Sequence, residues 1–232
     1  MDLQPRSFFK TKRAAALFFA ALLACACLAL AGCGKGGGLT PYVSEYRSRL
    51  YAGTEGEFSV FASFTRREVP YLSDGNVGKT TEEFTVAVTV PDNTKLYTVE
   101  YSLGGQTYAS ELSFNSVRMV HTCSQTLPEP AEESIAFKIA DSNGNTCEVT
   151  AKDQAAGNEL GLTDLLNAVR AAQPERFDEL EEGGGFAGEI HVRLLHEDEG
   201  NYYYVGITDR AGRTFAMLAD AVTGEVLATK EP

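Results

Sequence analysis

Residues 84–90, FTVAVTV, carry an apolar side chain at every second position and end at the turn-forming segment Pro91-Asp92-Asn93. Strict period-two alternation of β-branched and aromatic residues is typical of a half-buried β-strand. The same alternation, bounded by Gly, Pro, Asn or Asp, recurs in the stretches 97–103, 107–114, 117–124, 134–140 and 146–151, and residues 57–64 show it with a possible bulge at Val60 and Phe61. About seven short strands at close spacing predict an immunoglobulin-like, antiparallel β-sandwich over residues 42–153.

Two turns in this region have hairpin chemistry. Gly104-Gly105 separates two alternating stretches, and Asp141 to Asn145 contains an Asn-Gly pair between two others. Both sequences accommodate the positive φ angles that tight hairpin turns require. They predict two local hairpins but leave the order of the strands open. The oxygen-rich Asp141 segment also contains calcium-type ligands, although its glycine falls two positions too early for an EF-hand loop.

The pattern changes after residues 154–157, QAAG, which mark a boundary. Leu162, Leu165, Leu166 and Val169 recur at helical spacing, and Pro174 closes or restarts the helix. Four strand-like stretches then follow, at 188–195, 202–208, 214–219 and 225–228. A helix followed by an antiparallel meander predicts a small α+β domain over residues 158–232.

The turn Asp220-Ala-Val-Thr-Gly-Glu-Val226 follows the last long strand of this region. Asp220 can accept hydrogen bonds from the turn amides, and Gly224 can adopt a positive φ. The segment resembles the D-A-x-T-G-x-V ending of PepSY domains, and the similarity extends over residues 158–232. It implies a noncatalytic module of the kind associated with regulating peptidases.

The N-terminus has the pattern of a secretory signal. Residues 1–13 carry four basic side chains and one acid, and residues 14–32 contain neither a charge nor a proline. A transmembrane anchor is the alternative, since about 20 apolar residues span a bilayer. The run is rich in alanine and ends in small residues without a basic flank, which favours a cleaved signal.

Leu30-Ala31-Gly32-Cys33 at the end of this run resembles the lipobox of bacterial lipoproteins. The resemblance implies that residues 1–32 are removed and that Cys33 carries a diacylglyceryl group on its sulfur. Residues 33–41, which include Gly34-Lys-Gly-Gly-Gly38, then form a flexible tether. The protein is therefore expected on the extracytoplasmic face of a bacterial membrane, held by its acyl chains.

The charge of the chain excludes one class of partner. The net charge is −12, and the signal carries +3, which leaves −15 on the mature part. Nucleic acids bind basic surfaces, so we expect no nucleic-acid partner.

Cysteine and histidine positions yield no catalytic or metal site. Cys123 and Cys147 are an even pair in an exported chain, which permits a disulfide, and two reduced buried thiols are the alternative. His191 and His196 lie five residues apart, a spacing that suits no shared metal ion on a strand or helix. The stretch 73–80, SDGNVGKT, lacks the first glycine of a P-loop. We therefore predict no cofactor and no enzymatic activity.

Tyr202-Tyr203-Tyr204 lie in one of the predicted strands, where the first and third share a face. Ordinary packing on a sheet with one solvated side explains them, and an aromatic surface at Tyr202 and Tyr204 for a peptide or carbohydrate is the functional alternative.

These observations together predict a lipid-anchored, noncatalytic protein that binds or regulates a protein or peptide partner, such as a peptidase, at the cell envelope. A solute- or glycan-binding lipoprotein associated with a transporter or the cell wall is the alternative. It predicts a concave pocket lined by aromatic rings.

Replacing the lipidated cysteine tests the anchor directly. We expect Cys33→Ser to abolish incorporation of labelled palmitate, because only the thiol can form the thioether. Undiminished labelling of the variant in intact cells would contradict the lipobox assignment.

Overall fold

A computed structural model describes residues 38–72, 74–155 and 157–232. The predicted signal peptide, the lipobox and Cys33 lie outside these residues. A 3₁₀ helix at Thr40–Tyr42 precedes fourteen strands and two α-helices in the described chain. The strands are β1 Val43–Glu55, β2 Phe58–Glu68, β3 Thr80–Thr89, β4 Tyr97–Leu103, β5 Gln106–Asn115, β6 Val120–Gln125, β7 Ser134–Asp141, β8 Thr146–Asp153, β9 Glu181–Glu182, β10 Gly185–Phe186, β11 Gly188–Glu197, β12 Gly200–Asp209, β13 Thr214–Asp220 and β14 Val226–Lys230. The helices are α1 Leu162–Ala172 and α2 Pro174–Asp178.

The first eight strands close into an antiparallel barrel. Their order is β1-β2-β3-β6-β5-β4-β7-β8, and β8 pairs back onto β1 at Tyr51–Asp153 and Ala52–Lys152. The predicted immunoglobulin-like sandwich is therefore wrong, because a sandwich keeps its two sheets separate whereas these strands form one closed ring. Alternating side chains fit both architectures equally well, so the pattern that predicted the strands could not distinguish them.

Closure of the barrel depends on Gly53. A Cβ atom at this position would lie 2.3 Å from the Thr150 carbonyl oxygen and 2.8 Å from Ala151 Cα. The backbones of β1 and β8 therefore approach each other too closely for any side chain at residue 53. Glycine inside a strand often marks such an approach.

Side chains fill the inside of the barrel. Tyr51, Phe84, Tyr101 and Phe137 are buried there with aliphatic residues from strands β2, β3, β4, β5, β7 and β8. The two predicted hairpins are present, with β4 paired to β5 across Gly104-Gly105 and β7 paired to β8 across residues 142–145. An eight-stranded barrel is just wide enough for its side chains to fill it, so the interior is a packed core.

Strands β11 to β14 extend the same sheet beyond the barrel. The amino-terminal part of β1 pairs in parallel with β11, and β12, β13 and β14 follow as an antiparallel meander. The prediction of a self-contained α+β domain is wrong in this respect, because its sheet is continuous with the barrel through β1. The division of the chain into folding units at residues 42–153 and 158–232 stays a prediction.

A second core lies between the meander and helix α1. Leu165, Leu166 and Val169 are the buried face of this helix, as their spacing predicted. They pack with Ile190 and Val205 of the meander and with Val43 and Leu50 of β1. Strand β1 thus contributes side chains to both cores, with Tyr51 belonging to the barrel.

Arg47 occupies the point where β1 changes neighbours. Its pairing with Arg193 is the last between β1 and β11, and β1 meets β8 from Tyr51 onward. The Arg47 guanidinium donates to the Leu194 carbonyl oxygen from Nε at 3.0 Å and from Nη2 at 2.8 Å. A backbone acceptor that would otherwise lack a strand partner is thereby satisfied.

Substituting Gly53 tests the barrel closure. We expect Gly53→Ala to lower the free energy of unfolding by about 2 kcal/mol or more, because the new methyl group would force β1 and β8 apart. Gly161→Ala is the control, since a Cβ atom at Gly161 meets nothing within 4 Å. Urea titrations that show equal losses for the two variants would contradict this account.

Candidate functional site

The three consecutive tyrosines lie on strand β12, with alternate faces as predicted. Tyr203 is buried in the second core, and its hydroxyl donates to the Leu160 carbonyl oxygen at 3.0 Å. Burial raises the pKa of Tyr203 well above its ordinary value. Tyr202 and Tyr204 point to the other face of the sheet and are partly exposed. Of the three side chains, these two are available to a partner.

Neighbouring strands complete this surface, which we call the tyrosine face. Tyr202 lies opposite Leu195 on β11, and Tyr204 lies between Arg193 on β11 and Leu218 on β13. All five side chains are partly exposed, on the side of the meander opposite its buried residues. The tyrosine face is therefore a sheet surface with aromatic, aliphatic and cationic groups side by side.

Tyr204 is held in place by its neighbours. A Cβ atom at Gly206 would lie 2.7 Å from the Tyr204 hydroxyl and 3.0 Å from its Cε1, so the ring rests over this glycine. The Arg193 guanidinium lies 5.6 Å from the centre of the same ring, within range of a cation–π interaction. An aromatic side chain fixed in this way loses little conformational entropy when a partner binds.

Arg193 is in turn fixed by Glu45 of strand β1. Its Nε lies 2.5 Å from Glu45 Oε1 and its Nη2 2.9 Å from Oε2, which is bidentate geometry. Glu45 is positioned for this contact because its strand pairs with β11 and places it opposite His191, two residues before the arginine. This ion pair joins the barrel strand β1 to the tyrosine face.

His191 links this ion pair to the loop between β2 and β3. Its Nδ1 lies 3.9 Å from Glu45 Oε2, beyond hydrogen-bonding distance, and its Nε2 lies 3.2 Å from the Tyr71 hydroxyl. Burial raises the pKa of Glu45, but His191 and Arg193 outweigh it and bring the value down to about 2. Glu45 is therefore a stable carboxylate at neutral pH and has no capacity to act as a general acid.

Two buried glutamates hold the same loop. Glu189 Oε1 accepts hydrogen bonds from the backbone N–H groups of Asp74 at 2.9 Å and Gly75 at 3.0 Å. Glu68 Oε1 accepts one from the Gly78 N–H group at 2.7 Å. The second carboxylate oxygen of each glutamate is buried and has no hydrogen-bond partner. The contacts that are made fix the backbone of the β2–β3 loop against the sheet.

The predicted cysteine pair is not bridged in the structure. Cys123 on β6 and Cys147 on β8 are free thiols. Their strands are four steps apart in the ring of eight, so they lie on opposite walls of the barrel, whereas a disulfide requires Cα atoms within about 7 Å. Burial raises the pKa of Cys123 to about 11 and also raises that of Cys147. Both groups are protonated at neutral pH and are poor nucleophiles.

The turn after β13 has the local geometry that its sequence predicts. Asp220 Oδ1 accepts hydrogen bonds from the backbone of Val222 at 3.0 Å and of Thr223 at 2.8 Å. Gly224 has a φ of +74° and lies against Ala168 of helix α1, where a Cβ atom would approach the alanine methyl group to 2.6 Å. The turn thus docks the end of the meander on the helix. These contacts are structural and leave the resemblance to PepSY domains a prediction.

His121 is the one described histidine inside the barrel. Both ring nitrogens are buried without a hydrogen-bond partner, between the rings of Tyr97 and Phe114. Burial lowers its pKa. No nucleophile in the described residues is hydrogen-bonded to it, so it forms no catalytic pair there.

A cleft of about 550 Å³ lies between helix α2 and strands β12 and β13. Arg176 crosses it, with its guanidinium 5.2 Å from the centre of the Phe215 ring and 2.6 Å from Glu231 Oε1. Glu179, Asp209 and Arg213 add further charges to its walls. The cleft is mainly polar, with Phe215 as its single aromatic ring.

Residues 38–72, 74–155 and 157–232 contain no group of three or more His, Cys, Asp or Glu side chains placed to hold a metal ion. Neither described α-helix is long and apolar enough to cross a bilayer.

Sequence reasoning identified the two tyrosines but missed the groups that position them. Residues 189–193, EIHVR, alternate charged and apolar side chains, and this signal predicts a charged strand face. The partner of that face, Glu45, is 148 residues from Arg193, and only the parallel pairing of β1 with β11 brings the two together.

Comparison with protein families, with curated proteins and with solved structures gave no match for this chain. The geometry of the tyrosine face and its supports is therefore the basis for a functional proposal.

Removing the ion pair between Glu45 and Arg193 is expected to lower the stability of the protein only at pH values above the pKa of Glu45 in the folded state. Because this pKa falls from an ordinary 4.5 to about 2, the stabilisation is complete above pH 4.5 and is lost as the pH falls towards 2. A shift of this size corresponds to an order of 3 kcal/mol. We expect Glu45→Gln to lower the free energy of unfolding at pH 7 and to converge with wild type near pH 2.

The control for this measurement is Glu83→Gln. Glu83 also pairs with an arginine, Arg67, at 2.7 Å, but that arginine is half exposed. We expect a loss below about 1 kcal/mol for an ion pair of this kind. Urea unfolding at pH 7 and at pH 2 measures both variants, and a Glu45→Gln deficit that persists unchanged at pH 2 would contradict the assignment.

Proposed function

We propose that this protein is a lipid-anchored, noncatalytic component of a bacterial cell envelope that binds a protein or peptide partner through the tyrosine face. The observation that carries the proposal is the pair Tyr202 and Tyr204, partly exposed side by side while Tyr203 is buried. Tyrosine combines a large apolar surface with a polar tip and is enriched where proteins bind one another.

The supports of the tyrosine face favour binding over catalysis. Arg193 is engaged in a bidentate ion pair and a ring contact, and Glu45 is a fully ionised carboxylate. Such an arrangement preorganises a recognition surface and supplies no activated nucleophile or proton donor. A noncatalytic role agrees with the motif survey of the sequence.

A protein partner fits this surface better than a small solute does. Small ligands are held in concave, mostly apolar pockets, whereas protein partners bind flatter surfaces with a few aromatic anchors. The tyrosine face is a sheet surface of the second kind. The cleft at helix α2 is lined by charges around a single aromatic ring, Phe215, and does not match the aromatic pocket that a glycan-binding lipoprotein requires.

Anchoring remains the sequence-based part of the proposal. Lipidation at Cys33 would keep the protein at the extracytoplasmic face of the membrane and restrict its partners to the envelope. The strongly acidic mature chain would favour partners with basic surfaces and would repel anionic ones.

The test compares envelope proteins that copurify with the lipidated full chain and with its Tyr202→Ser/Tyr204→Ser variant. We expect a partner that is retained by wild type to be lost from the double variant, because the aromatic anchors supply most of the affinity. Val117→Ser is the matched control, since Val117 is 92% exposed on a turn of the barrel.

The same preparations are assayed for hydrolytic activity and for inhibition of peptidases. Retention of an identical set of proteins by wild type and double variant would contradict the tyrosine face as the binding surface. A hydrolytic activity intrinsic to the purified chain would overturn the noncatalytic assignment. Unchanged thermal unfolding of the double variant shows that lost binding is not lost folding.

A further inference from the structure

Three apolar side chains protrude from the loop that follows β2. Val69 is 48% exposed, Tyr71 44% and Leu72 56%. We call these three the apolar ridge. Isolated exposed apolar residues are normal on a protein surface, whereas these three lie within four positions of one loop.

The ridge is held rigidly. The Val69 N–H group donates to the Lys79 carbonyl oxygen at 3.1 Å and closes the base of the loop. Tyr71 is fixed by His191, with ring centres 5.1 Å apart, and Glu189 binds the backbone at Asp74 and Gly75. Burial of the Glu189 carboxylate costs free energy of desolvation, which its hydrogen bonds to the loop backbone offset. These bonds fix the conformation of the loop.

The ridge lies at the end of the sheet where the lipid tether enters. In the antiparallel register of β1 and β2, Arg67 lies opposite Glu45. The residues after Glu68 therefore lie beside the start of β1. Leu39, which precedes β1, is buried in the second core. It is six residues from Cys33, and six extended residues span about 20 Å at most. A lipidated Cys33 would therefore keep this end of the sheet close to the bilayer.

Basic side chains flank the ridge. Arg66 lies just before it and Lys79 at its base. Of the nearby acids, Glu68 and Glu189 bind loop amides and Glu83 pairs with Arg67, whereas Asp74 and Glu82 are exposed. Apolar residues bordered by Lys and Arg are the composition of segments that insert into the interface of a bilayer.

We propose that Val69, Tyr71 and Leu72 insert into the outer leaflet of the membrane to which Cys33 anchors the protein. The inference rests on the lipid anchor of the proposed function and adds a second membrane contact to it. Two contacts at one end of the sheet fix the orientation of the protein on the bilayer. A single acyl-bearing residue on a glycine tether leaves it free to tumble.

The sequence contains no tryptophan, which allows a single-tryptophan measurement. Leu72→Trp is prepared in the lipidated full chain and reconstituted into phosphatidylcholine vesicles with about one-quarter phosphatidylglycerol. We expect the emission to shift to shorter wavelength and to fall by roughly half when brominated lipids replace the natural ones. Val69→Trp is the second probe if the first variant unfolds.

Val117→Trp is the matched control. Val117 lies in the turn between β5 and β6. Because His121 of β6 pairs with Val88 near the end of β3, this turn lies at the opposite end of β3 from the β2–β3 loop. We expect its emission to stay at long wavelength and to be unaffected by brominated lipids.

Flotation of the vesicles separates the two claims. If the protein floats with the vesicles and the tryptophan at position 72 is quenched, the proposal holds. If it floats and neither Leu72→Trp nor Val69→Trp is quenched, the ridge does not enter the bilayer, although the anchor is intact. If the wild-type chain does not float, both the anchor and the ridge contact are overturned. Equal quenching of Val117→Trp would also overturn the proposal, because it would show a contact without orientation.

Discussion

The structure depends on the pairing of strand β1 with three different strands. Along one side β1 pairs with β2 over its whole length, and along the other it pairs first with β11 and then with β8. The barrel cannot close without β8 on β1, and the meander cannot join the barrel without β11. Arg47 satisfies the backbone at the fork, and Gly53 permits the closest approach of β8. The fork in the pairing of β1 and its contact with β8 thus each depend on one residue, Arg47 and Gly53 respectively.

This constraint also explains how the tyrosine face is built. The parallel register of β1 with β11 brings Glu45 to Arg193 and His191, and Arg193 then supports the Tyr204 ring. His191, beside Glu45, also contacts the hydroxyl group of Tyr71 on the β2–β3 loop. The proposed protein-binding surface and the proposed membrane contact therefore share one charged cluster.

Local sequence patterns predicted most of the strands, helix α1 and the exposure of the tyrosines, because alternation and helical spacing act over short range. They predicted no strand at Val43–Glu55. Register shifts after Val43 and after Arg47 interrupt the period-two pattern there, and bulges of this kind obscure a strand in the sequence. The local patterns did not predict barrel closure for a different reason. Gly53 and Thr150 are far apart in the chain, and nothing in the sequence around either residue indicates that the two come into contact. The charged cluster behind the tyrosine face depends on the same long-range pairing.

Because one sheet runs through both parts, we expect β1 to couple the barrel and the meander into one folding unit, in opposition to the two units that the sequence predicts at residues 42–153 and 158–232. Hydrogen exchange read by mass spectrometry at increasing urea concentration tests it most directly, because it follows both parts in the same molecule. We expect the amides of β4 and β7 in the barrel and of β12 and β13 in the meander to become exchangeable in a single transition at one urea concentration. Exchange of the meander amides in a separate transition, while the barrel amides stay protected, would contradict it.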